Sequence, residues 1–133
     1  EVFYNVGERL GVEGDLDSAI KCWEEAARLE KDDLQRAETL IRIAVCRGAL
    51  KEYEEAREAM RMVLAGQTPA FKERHLVALE YIASTYWQEG RRQQAIEAFE
   101  KALELATQEG KTGRQEAIRR AIAQLKAIEE GSK

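Results

Sequence analysis

The chain has 133 residues, with 21 basic and 25 acidic side chains interspersed along it for a formal charge of −4. That balance supplies solubility but no field that gathers DNA or RNA, so nucleic-acid binding is not expected. One proline, 7% aromatic residues and apolar residues at helical spacing predict an all-α protein without sheet, and no run of about 18 apolar residues exists to insert into a membrane.

Breaks at Gly14-Asp15, Asp32-Asp33, Leu50-Lys51, Thr68-Pro69, Gly90 and Gly110 to Thr112 divide the chain into about seven helices. Their expected spans are 1–12, 16–30, 33–49, 52–66, 69–89, 92–109 and 113–130, with ends good to about two to four residues. Phe3, Val6, Gly7 and Leu10 line one face of the first helix, and Leu79, Ile82, Ala83 and Tyr86 repeat that face in the fifth. The third has Leu40, Ile43 and Ala44 but then Arg47, whose stem packs while its guanidinium reaches an acidic neighbour or water. Thr68 before Pro69 is a start signal, and Thr112-x-x-Gln115 has the spacing of a capping box. The last helix carries Ile118, Ala121, Ile122 and Leu125, and covers the end of the stack. No equivalent cap precedes the first helix, which suggests that further chain lies ahead of Glu1 in the native protein.

The even-numbered helices share one pattern: Ala19-x3-Trp23-x2-Ala26, Ala56-x3-Met60-x2-Val63 and Ala95-x3-Phe99-x2-Ala102, at intervals of 37 and 39 residues. Each unit then buries its apolar face against its neighbours, with Trp23 and Phe99 in the core. Together with large-x2-large-small-x2-large in the odd helices, the pattern resembles the tetratricopeptide repeat. The second repeat departs from it, with Lys51 at the turn glycine and Arg47 at the expected aromatic, and the period exceeds the usual value of about 34. The resemblance implies a right-handed α-α superhelix of about seven antiparallel helices. It forms a single domain over 1–130, with repeats over 1–32, 33–68 and 69–111, a capping helix over 113–130 and a tail at 131–133.

Catalytic chemistry is absent from the pattern. The carboxylate pairs Glu24-Glu25, Asp32-Asp33 and Glu54-Glu55 fall on solvent faces or helix starts, where the helix dipole favours them. His75 is the sole histidine and lacks ligand spacing, so it reads as helix surface. No P-loop, GxGxxG, GxSxG or HExxH motif occurs, so no enzyme, metal or cofactor is expected. Cys22 and Cys46 lie on different helices without CxxC spacing and read as mostly buried thiols of a reducing compartment, which places the chain in the cytoplasm.

In the architecture this chain resembles, the odd helices line a concave groove. Residues just off the buried stripe then face a ligand: Tyr4, Asn5 and Glu8 in the first helix; Ile41, Arg42 and Val45 in the third; Glu80, Tyr81, Ser84 and Trp87 in the fifth; Arg119 and Arg120 in the last. Aromatic anchors flanked by polar groups suit a peptide or helix of a partner protein. For Trp87 the two places open to it are the groove and the core.

Some family members clamp acidic chaperone tails with lysine, asparagine and arginine. Here Tyr4, Glu8, Arg42, Val77 and Tyr81 stand at those sites, and Asn5 comes one repeat too early, so no such clamp is expected. The leading expectation is a protein-binding adaptor. Its rivals are a scaffold that self-associates through Val2, Phe3 and Val6 of the uncapped first helix or belongs to a longer array, and a recruitment arm of a larger enzyme.

Overall fold

The computed structural model describes residues 14–131, so the readings placed on residues 1–13, including Tyr4, Asn5 and Glu8, lie outside the described residues. Among the described residues there are seven helices and no strand: α1 (Leu16–Leu29), α2 (Asp33–Ala49), α3 (Tyr53–Ala65), α4 (Pro69–Lys72), α5 (His75–Gln88), α6 (Arg92–Gln108) and α7 (Thr112–Gly131). Two compact units divide at His75 and Leu76.

In the first unit α2 packs against both α1 and α3. Asp15 and Asp32 cap α1 and α2, accepting the Ser18 amide at 3.2 Å and the Leu34 amide at 3.0 Å, which satisfies donors that a helix start leaves open. The repeated small and large positions pack as their spacing predicts: Ala19, Trp23 and Ala26 on α1, Ala56, Met60 and Val63 on α3 are all buried. Arg57 is buried too, at the position where α1 has Ile20 and α6 has Ile96. Its guanidinium donates to Glu54 Oε2 at 3.0 Å.

The turn after α2 explains how Lys51 replaces a glycine. The Glu52 amide bonds back to the Arg47 carbonyl at 2.9 Å, as Arg91 does to Tyr86 and Lys111 to Ala106. This five-residue reach requires the residue before it to adopt the left-handed conformation. Gly90 and Gly110 do so at φ 82° and 67°, and Lys51 at 64°. This turn therefore keeps the geometry of the turns at Gly90 and Gly110, at a steric cost.

The helix expected over 69–89 is broken. α4 ends at Lys72, the Arg74 amide bonds to Phe71 O at three-residue spacing, and α5 begins at His75. Three side chains fix this tightened turn. Phe71 is buried over Gly66, where a Cβ would run into the ring. His75 Nε2 sits 2.9 Å from the Gly66 carbonyl, so the histidine is half-buried in a local contact and not a plain surface residue. Arg74 bonds Glu38 of α2 through Nε at 3.1 Å and NH2 at 2.6 Å. Pro69 occupies the first helical position as expected, but the Thr68 hydroxyl makes no cap bond.

The second unit holds most of α5 with α6 and α7. Ala95, Phe99 and Ala102 on α6 and Ile118 and Leu125 on α7 are buried. Trp87 meets Phe99 edge to face, centroids 6.2 Å apart. Thr112 is the first residue of α7 and not a cap before it, and Gln115 donates its side-chain Nε2 to the Ala106 carbonyl at 3.4 Å instead of closing a capping box.

Candidate functional site

On α2, residues 34, 38, 41 and 45 recur at i, i+4, i+7 and i+11 and so share one face. Leu34 is 44% exposed, Val45 is 48% exposed and Ile41 is half-buried between them. Glu38, the one charge in the row, is held by Arg74. The result is an exposed apolar strip interrupted by one paired charge. Arg42, beside it, is exposed, and its guanidinium lies 5.6 Å from the centroid of the buried Trp23 ring. The cation therefore roofs the core and also borders the strip.

On α5, Val77, Tyr81 and Ser84 share a face in the same way. Val77 is 48% exposed, and Tyr81 and Ser84 are half-buried. Glu80 is engaged within the protein: Arg114 of α7 binds both its carboxylate oxygens, with Nε to Oε2 at 3.2 Å, and that hydrogen bond raises the Arg114 pKa. Trp87 is half-buried against Phe99. On α7, Arg119 and Arg120 are exposed, the latter 3.5 Å from Glu116.

Ile41, Arg42 and Val45 are thus gathered on one helix of the first unit, and Glu80, Tyr81, Ser84 and Trp87 on one helix of the second. Sequence reasoning passed over Leu34 and named Val77 only at a clamp site, not among the groove residues. Both follow the same helical spacing, but their exposure depends on what the neighbouring helices leave uncovered.

Arg47 behaves as its place in the sequence suggests. Its guanidinium meets Glu24 at 3.1 Å and Glu52 at 3.2 Å. Burial works against its charge, yet the hydrogen bonds to the two carboxylates prevail and raise its pKa. Cys22 and Cys46 are thiols, each half-buried. Among the described residues no three His, Cys, Asp or Glu side chains converge as a metal site would require, and no helix is long and apolar enough to cross a membrane.

The paired helices and repeated turns define an all-α helical-repeat protein, and comparison with known proteins supplies the family. Tetratricopeptide-repeat profiles match residues 38–65 and 79–109, which contain the α2–α3 and α5–α6 pairs. Similar solved structures include PcrH in complex with the chaperone binding region of PopD, at a TM-score of 0.66 and 18% identity, covering 96% of this chain and 90% of that one. The first TPR domain of the human RPAP3 protein gives 0.66 and 19%, covering 99% and 95%. MamA gives 0.61 and 18%, covering 98% and 78%. No curated protein sequence matches. These matches and the shared fold support a tetratricopeptide-repeat protein, a fold that is generally a protein–protein interaction module.

Proposed function

We propose that this protein is a non-enzymatic adaptor that takes a peptide or helix of a partner protein on the exposed faces of α2 and α5. The observation that carries the reading is the α2 strip, where Leu34 and Val45 stay 44% and 48% exposed on the same face as Ile41. Single exposed apolar residues are ordinary, but a row of them on one helix face is a docking surface. Tyr81 with Val77 offers a second such face on α5, and Arg42, Arg119 and Arg120 supply selectivity for acidic groups. A related fold, that of PcrH, is seen with a segment of its protein partner, which supports the same mode here. The half-buried thiols Cys22 and Cys46 suit a reducing, cytoplasmic compartment.

Affinity capture from the source lysate tests the reading, with wild type and Leu34→Glu/Val45→Glu run side by side. Both substitutions fall on exposed positions, so the fold survives. A partner retained by wild type and lost by the variant supports the reading, and equal capture by both refutes it.

A further inference from the structure

A second surface lies on the opposite flank of α2. Between α1 and α3, which run parallel on either side of α2, a half-open cleft of about 620 Å³ has apolar walls built by Ala27, Leu40, Ile43, Ala59 and Met62. Alanine stands on both rims, Ala27 on α1 and Ala59 on α3, and its single methyl group fills little of the space between them. Met62 is 54% exposed at its lip, and a soft, unbranched side chain there adapts to a varied occupant.

The charges around the cleft are sorted. Arg28 is paired with Glu25, Arg47 with Glu24 and Glu52, and Glu58 with Arg61. Two lining groups have no partner of opposite charge among the described residues: Arg36, whose guanidinium donates only to the Glu30 carbonyl, and Glu55. Hairpin topology places them at opposite ends. Arg36 is in the first turn of α2, beside the last turns of α1 and α3, while Glu55 is in the first turn of α3, beside Arg47 at the end of α2. From Arg36 to Arg47 the helix rises about 16 Å, the length of about five residues of extended chain.

The geometry points to a second peptide-docking site in this cleft, separate from the α2 strip, for an extended segment of a partner. That segment carries an acidic residue at one end for Arg36, aliphatic side chains over Ala27, Ile43, Ala59 and Met62, and a basic residue at the other end for Glu55. Apolar walls supply the contact area, and the two end charges fix register and direction.

Selection of random linear peptides displayed on phage against the full chain tests this. Selected peptides are then measured by fluorescence anisotropy against wild type, Ala59→Phe to fill the cleft, Met62→Glu at its exposed lip, Arg36→Glu, and Val45→Glu on the α2 strip, each checked for fold by circular dichroism. The expected result is a consensus with aliphatic residues between an acid and a base, weakened about tenfold or more by Met62→Glu and Arg36→Glu and indifferent to Val45→Glu. Replacing the peptide's acid with lysine restores binding to Arg36→Glu. If Ala59→Phe fails to fold, Met62→Glu and the charge exchange still decide. No enriched consensus, or peptides lost with Val45→Glu and unaffected by Met62→Glu, overturns the proposal.

Discussion

Replacing Lys51 with glycine stabilises this protein. Lys51 holds φ 64° because the Glu52 amide must reach the Arg47 carbonyl at 2.9 Å, and its side chain is exposed with no hydrogen bond or ion pair of its own among the described residues. The left-handed conformation costs a residue with a Cβ about 1–2 kcal/mol, which glycine does not incur. Glycine loses about 0.5–1 kcal/mol more backbone entropy on folding, so the net gain is about 0.5–1 kcal/mol. For a chain of this size that corresponds to a rise of about 2–5 °C in the melting midpoint. Thermal unfolding followed by circular dichroism at 222 nm, wild type against Lys51→Gly, measures it. A lower midpoint for the glycine variant would refute the account of this turn.

Gly66→Ala places a methyl group in the Phe71 ring and costs about 1–3 kcal/mol as overpacking, read by urea unfolding; a neutral result would contradict the packing of Phe71 on Gly66. Hydrogen bonds from Arg61 and then Arg57 hold the Glu54 carboxyl below its usual range. Its contribution is present above the unfolded-state value and disappears as pH falls through the lower folded value. Glu54→Gln therefore loses up to about 1 kcal/mol at neutral pH, since Glu54 is exposed, and matches wild type once both side chains are uncharged in acid. A constant difference across that range in pH-dependent unfolding would rule this out. Trp87→Ala removes the edge-to-face contact with Phe99 and lowers stability by at least about 1 kcal/mol, whereas Tyr81→Ala, checked by the same melts, leaves the fold intact.

Repeat spacing was legible because burial in a helical stack follows local periodicity: Ala19, Trp23, Ala56, Met60, Ala95 and Phe99 are all buried at their repeated positions. Features that failed to follow from spacing are those set by distant partners. The helical pattern runs on without interruption from Pro69 to Gln88, yet Arg74 is drawn to Glu38 and His75 to Gly66, and the helix breaks between them. Position 57 is core by spacing, but nothing local announces that an arginine would fill it and bond Glu54. Among the candidate binding residues, spacing identified the helix face of Ile41 and Val45. It did not reveal that Glu80 is held by Arg114, that Arg42 roofs Trp23, or that Leu34 and Val77 are left uncovered.

Hydrogen–deuterium exchange of the chain with and without its captured partner tests the central claim most directly. The account predicts that bound partner slows exchange in α2 and α5, the helices carrying Ile41, Val45 and Tyr81, and that Val45→Glu abolishes the protection in α2. Protection confined to helices other than α2 and α5, or a pattern unchanged by Val45→Glu, would contradict it.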